Sequence, residues 1–229
     1  AFQTTGLHRN IAELNRRKTI QEQQLGFILN YQNKKVDAGL IYHGLSYHLP
    51  VNRNSQPYNQ FSFSGSILQN LGGFLNYTVN NFTSFSEAGK TISGGVGLSA
   101  GLLGSVTNQL DISLHYRNYQ RNFHSFYSNA FAEGSMPQNE RGLYWGWRYR
   151  WNRKYNMTGY MDIFRFPWLR YRSYSPSTGY EYLLRFNYHP SRNIHLFVQL
   201  REESKDRNRS GSDNNLYLTD TGIKRNYWL

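Results

Sequence analysis

The chain has 229 residues, no cysteine and a mean hydropathy of −0.71, with 26 basic against 14 acidic residues and a formal net charge of +12. These values fit one all-β domain of barrel size and exclude a disulfide scaffold or a cysteine-held metal. No run approaches the roughly 18 apolar residues of a transmembrane helix, and the positive excess favours polyanionic partners such as nucleic acid, lipopolysaccharide phosphates or acidic glycans.

Residues 1–23 read as a helical segment lying in an outer loop or plug. Asn10-Ile11-Ala12-Glu13 has capping-box spacing, which predicts a helix from Ile11 to about Glu22. Ile11 and Leu14 are its only good apolar anchors, too few for a membrane span. Arg16, Arg17 and Lys18 read as solvated, with contact to an anionic partner as the lesser expectation.

From residue 24 to 229 the pattern changes to two-residue alternation. Leu110, Ile112, Leu114 and Tyr116 alternate with Asp111, Ser113, His115 and Arg117. Leu143, Trp145, Trp147, Tyr149 and Trp151 alternate with Gly146, Arg148, Arg150 and Asn152. The segments 180–189 and 193–201 behave in the same way. Successive side chains of a strand point to opposite faces, so each segment is apolar on one side and polar on the other. The reading predicts strands at 24–32, 35–47, 60–70, 74–84, 91–103, 109–117, 142–152, 155–165, 180–189 and 193–201, with an eleventh beginning at Ile223. Most have the 9–11 residues that cross a bilayer at a tilt near 45°.

Short turns (Asn33-Lys34, Leu71–Gly73, Ser105–Asn108, Asn152–Lys154, Pro190–Arg192) alternate with longer links (His48–Asn59, Phe85–Thr91, Asn118–Arg141, Phe166–Gly179, and Glu202 to about Asn215). Transmembrane β-barrels sort their connections this way, with short periplasmic turns and long external loops. Tyr31, Tyr77, Tyr149, Trp151, Tyr155 and Tyr188 fall on the apolar register beside the short turns, as a lipid-facing interfacial girdle would. The fold class expected is therefore an all-β transmembrane antiparallel barrel with one short helix near the N-terminus. Because the first strand starts on the outer side, the chain reads as about 10–11 strands of a larger, incomplete barrel.

On the polar register, Arg117, Arg148, Arg150, Arg185 and Arg201 are candidate basic residues of the lumen. Rings of positive side chains select anions; equally, Asp111, Asp162 and Glu181 could pair with them in ladders that brace the wall. Asp111, Ser113 and His115 fall in one row, but residues two apart on a strand lie about 7 Å apart, beyond the reach of a catalytic triad. The histidines lack metal-ligand spacing. No enzymatic activity and no cofactor are expected. Ser93, Gly95, Gly97, Ser99 and Gly101 leave one strand face nearly bare, which suits curvature or, less readily, an inserted plug.

Asn139-Glu140-Arg141-Gly142-Leu143-Tyr144, Phe164-Arg165-Phe166-Pro167-Trp168-Leu169-Arg170-Tyr171-Arg172 and Ser177-Thr178-Gly179-Tyr180-Glu181-Tyr182-Leu183, with Thr5-Gly6-Leu7-His8-Arg9 upstream, together resemble the large outer-membrane proteins of Bacteroidota that carry helix-hairpin-helix repeats ahead of a barrel. The repeats themselves are absent here. The resemblance implies a location in a Gram-negative outer membrane, with DNA or protein contact only through that absent part, and it supplies no catalytic residues. The function expected is transport or translocation of an anionic or polymeric solute within an envelope assembly; the alternative is a non-conducting scaffold or partner subunit. The partners expected are outer-membrane lipid, lipopolysaccharide, and other outer-membrane or periplasmic proteins.

Overall fold

In a computed structural model, which describes residues 9–15, 20–208 and 219–228, one antiparallel sheet contains eleven strands in sequence order. They are β1 (Glu22–Gln32), β2 (Val36–Val51), β3 (Gly65–Val79), β4 (Phe82–Thr91), β5 (Val96–Ser105), β6 (Leu110–Tyr119), β7 (Glu140–Arg150), β8 (Tyr155–Phe166), β9 (Ser177–Ser191), β10 (Ile194–Asn208) and β11 (Thr219–Trp228). The all-β antiparallel class agrees with the sequence reading. Among the described residues β1 pairs only with β2 and β11 only with β10, so both are unpaired edges.

The helix α1 is shorter than the capping pattern suggested. It covers Ile11–Asn15, with the Glu13 amide donating to Asn10 Oδ1 at 2.8 Å as an N-cap should. It cannot extend to Glu22, because Glu22 already pairs with Tyr47 in β1. Arg16, Arg17 and Lys18 lie outside the described residues, as do most of Thr5–Arg9 and residues 209–218.

Two expected connections move. Leu71–Gly73 is no turn but the middle of β3, and the chain reverses at Asn80-Asn81, where Asn80 takes φ 51°. Asn tolerates the left-handed region that a two-residue hairpin demands, whereas the Gly72-Gly73 pair sits under ladder hydrogen bonds. Phe85–Thr91, expected as a link, is strand β4, and the link shrinks to 92–95. β10 also runs on to Asn208, past the expected break at Glu202. The sorting of connections survives. The turns 33–35, 80–81, 106–109, 151–154 and 192–193 leave one end of the sheet, and the loops 52–64, 120–139 and 167–176 leave the other, together with the short link 92–95 that is the one exception to the sorting among the described residues.

Register assigns every strand residue to one of two faces. Leu102, Leu114, Trp145, Met161 and Tyr182 form one directly opposed row, typical of the apolar face. On that face Leu29, Leu40, Ile67, Leu143, Trp145, Ile163, Leu196 and Val198 are all at least half exposed. The opposite face holds the buried residues Leu45, Leu68, His115, Arg117, Glu140, Asp162 and Phe164. This inverts the arrangement of a water-soluble domain.

The sheet curls with the polar face inside. A flat sheet would set β1 and β10 nine strand spacings, about 43 Å, apart. Yet Tyr127 donates to Glu22 of β1 and Glu133 pairs with Lys205 of β10, although those six residues of loop span at most about 21 Å of backbone. Between them Phe131 is held on His115 of β6 and Tyr144 of β7.

The left-handed turn residue yields a first prediction. Replacing Asn80 by Val should cost about 1–2 kcal/mol, whereas Asn80→Gly should be neutral or stabilising. Urea unfolding of the reconstituted protein measures both.

Candidate functional site

The inner wall is organised by one arginine. Arg117 of β6 lies directly opposite Gly142 of β7, which in turn opposes Phe164 of β8. A Cβ at Gly142 would stand 2.4 Å from the Arg117 Cζ, so only glycine lets the guanidinium cross β7. Having crossed, it donates to both Asp162 oxygens at 2.8 and 3.0 Å and to Glu140 Oε1 at 2.5 Å. Arg117 and Glu140 are fully buried. Glu140 also accepts the backbone amides of Glu133 and Gly134 at 2.8 and 3.0 Å, and the Phe131 ring lies 5.1 Å from the Arg117 Cζ. The cluster therefore ties three strands to loop 120–139.

That loop roofs the wall. Tyr119 Oη donates to the Phe131 carbonyl at 3.0 Å, and a cavity of about 620 Å³ lies beneath Asn129, Ala130 and Phe131, bordered by Phe85, Glu87, Ser99, His115 and Tyr144. Phe123 presses on the bare face of β5, where a Cβ on Gly97 would come within 2.6 Å of its ring. The inserted element thus occupies the small-residue surface that curvature was expected to explain. The loops also hold one another. Asn139, at φ 55°, accepts the Trp168 amide at 2.8 Å and donates to the Trp168 carbonyl at 2.9 Å. The Trp168 indole N–H donates to the Pro57 carbonyl at 3.0 Å.

The five candidate arginines all lie on the inner face but are not equivalent. Arg148 and Arg150 share Asp111 at 2.7 and 3.3 Å. Arg201 pairs with Glu181 at 2.7 Å, and Glu181 also accepts from Tyr160. Arg117 is sealed in the cluster. Arg185 differs: it donates to Asn187 at 3.0 Å and stacks on Phe197 at 3.9 Å, with no carboxylate in reach among the described residues. Counted strand by strand, this face carries Glu22, Asp37, Glu87, Asp111, Glu140, Asp162, Glu181, Glu203 and Asp220 against Arg117, Arg148, Arg150, Arg185, Arg201, Lys205, Arg207 and Lys224. It is close to neutral, so a predominantly basic lumen is not what the strands build.

Asp111, Ser113 and His115 are separated by their partners. Asp111 serves Ser105, Arg148 and Arg150, while His115 Nε2 meets Ser99 Oγ at 2.8 Å. Among the described residues no His, Asp and Glu cluster could hold a metal ion. The girdle residues Tyr31, Tyr77, Tyr149, Trp151, Tyr155 and Tyr188 sit at the short-turn end, those in strands on the apolar face. Tyr155 and Tyr188 stack at 4.7 Å, and Tyr149 meets Trp151 edge-on at 4.9 Å.

Sequence reasoning passed over Glu140, Gly142 and Phe131. An acid at the first position of a strand and a glycine two residues on signal a close approach only once the opposing arginine is known.

No protein-family model and no curated protein matches the chain. A solved NanC porin structure superposes over 89% of this chain and 96% of that one, at 12% identity and a TM-score of 0.33, a correspondence too loose to inform any residue.

Two outcomes follow from this geometry. Arg117→Met should destabilise by about 3–5 kcal/mol, because Glu140 and Asp162 are left buried without a counter-charge. Adding Glu140→Gln and Asp162→Asn should recover most of the loss in equilibrium unfolding.

His124, in loop 120–139, is packed edge-on against Phe63. Burial and the Arg53 charge hold its pKa below the usual value. The opened loop then binds the proton more readily than the closed one. Loop stability is full above about pH 6.5 and falls as the pH drops through that value towards the lower folded pKa. Protection factors for residues 120–126 should fall over that range, and His124→Phe should abolish the change.

Proposed function

We propose that the chain forms the wall of a Gram-negative outer-membrane β-barrel that transports an anionic or polymeric solute. The observation that carries this reading is the exposed apolar face bounded by aromatic and basic edges. On β8 the apolar register runs from Tyr155 beside the short turn to Arg165 near the long loops. Ten residues at about 3.4 Å each, tilted near 45°, rise about 24 Å, close to the apolar band of about 25 Å in outer-membrane barrels. Arg141 and Arg165 oppose one another at the upper edge, where lipopolysaccharide phosphates would lie. The Tyr149, Trp151, Tyr155 and Tyr188 cluster marks the lower edge.

Support for transport comes from the wet ladder below the cap. The Arg148 and Arg150 side chains keep about half of their exposure despite their pairing with Asp111, and among the described residues Arg185 has no acid to neutralise it. On a wall whose acids and bases nearly balance, the local positive charge of Arg185 favours a weak anion preference over a strong one. The second reading, a non-conducting scaffold in an envelope assembly, is favoured by the folded loop over the mouth.

Spin labels at Leu143, Ile163 and Leu184 in vesicles should be relaxed by oxygen, whereas a label at Ser113 should answer to an aqueous reagent; the reverse would reject the membrane register. In planar bilayers, replacing residues 127–135 by a short Gly-Ser link should raise conductance several-fold, and Arg185→Glu should move selectivity towards cations. A scaffold would stay silent with or without the loop.

A further inference from the structure

A cleft of about 280 Å³ opens where loops 52–64, 120–139 and 167–176 meet, and among the described residues its lining contains Arg53, Arg121 and Arg170 but no Asp or Glu. This contrasts with the wall below, where Arg117, Arg148, Arg150 and Arg201 all have a carboxylate within 3.3 Å. Arg170 is the most constrained of the three. Its guanidinium lies over the Phe166 ring at 3.3 Å, its nearest hydroxyl is Ser177 at 3.5 Å, and its Nε is buried with no partner. The carboxylates closest to it, Glu133 and Glu140, are already taken by Lys205 and Arg117. Arg121 is held between aromatic faces, 4.3 Å from the Phe61 centroid and 5.3 Å from that of Trp168. A guanidinium withdrawn from water without a counter-ion is costly, and an incoming anion removes that cost.

The rest of the cleft is rigid and aromatic. Phe61 meets Trp168 edge-on at 5.2 Å and Tyr58 meets Tyr171 at 5.8 Å, while the clamp between Asn139 and Trp168 fixes the floor. Tyr171 is 68% exposed at the mouth, with the Arg172 Cζ 5.4 Å from its ring centroid. Planar guanidinium forks suit carboxylate and phosphate, and an exposed aromatic face suits the flat side of a ring. The volume is at the small end for a ligand site, which limits the occupant to about one sugar ring.

We infer that this cleft binds a single acidic saccharide unit, with Arg121 and Arg170 engaging its carboxylate or phosphate and Tyr171 covering its ring. The cleft then captures solute at the cell-exterior mouth. Only that placement rests on the barrel reading; binding is measured in detergent and stands or falls separately from conduction.

The test is calorimetric titration of the full chain, folded in detergent, with glucuronate, glucose 6-phosphate, glucose and inorganic phosphate. At least one of the two acidic sugars should bind at least tenfold more tightly than glucose and inorganic phosphate, and the stronger of them tells carboxylate from phosphate. Arg121→Gln and Arg170→Gln should each weaken that binding at least tenfold, with the circular dichroism of the sheet unchanged. Arg121 is exposed and its variant folds independently of any role for Arg170 in packing. Tyr171→Ala should weaken the sugar acid but leave inorganic phosphate as it was, and Arg148→Gln should change nothing. The inference is overturned if neither acidic sugar binds, if glucose or phosphate binds equally well, or if Arg148→Gln costs as much as Arg121→Gln.

Discussion

The buried Arg117, Glu140 and Asp162 cluster is the constraint on which the rest of the inner face depends. Each charge taken out of water costs several kcal/mol unless its partners are complete. Completeness here requires residues from three strands and a loop: the Asp162 fork, the Glu140 carboxylate, the room left by Gly142, and the amides of Glu133 and Gly134 that occupy the remaining lone pairs of Glu140. The loop cannot lift away without stripping Glu140 of two donors. A polar wall would otherwise hold a long connection only weakly, because water competes for every contact. Burying the charges under Phe131 removes that competition.

Seen from the sequence, the strand faces were legible because exposing the apolar face and burying the polar one reverses the usual pattern without disturbing its period. Trp145 and Arg148 differ in face whatever solvent meets them, so β6 to β10 could be read from alternation alone. The first half was less legible. In β3 the run Leu71-Gly72-Gly73 imitates a turn, and the true reversal at Asn80-Asn81 lies between Val79 and Phe82, which continue the apolar face across it. That Asp111, Asp162 and Glu181 would pair with inward arginines was legible, but not which arginine each would take. Alternation places Arg117 on the polar face but cannot say that it reaches over β7 to Asp162, since that depends on strand order and register.

The segments that carried the family resemblance acquire a physical meaning. Asn139 and Trp168 bind each other's loops, Glu140 and Gly142 frame Arg117, and Phe166 supports Arg170. What looked like a signature is the set of residues that joins the cap to the wall. The positive excess of the chain also finds its place. It is spent little on the inner face and gathers instead at the short turns, with Lys34, Lys35, Arg153, Lys154 and Arg192, and among the long loops. Charge at a mouth acts on encounter rates, whereas balanced charge along a wall acts on passage.

The direction of the two edge strands has its own consequence. β1 and β11 both run from the long-loop end to the short-turn end, so they are parallel to each other although each is antiparallel to its neighbour. If they met directly, the seam would carry the slanted bonds of a parallel ladder, slightly weaker per residue than those elsewhere in the sheet. An antiparallel seam needs an odd number of intervening strands, the simplest being one that climbs from the short-turn end between Ile28 and Ile223. Parity therefore makes the β1 and β11 edges the natural place for the wall to yield sideways.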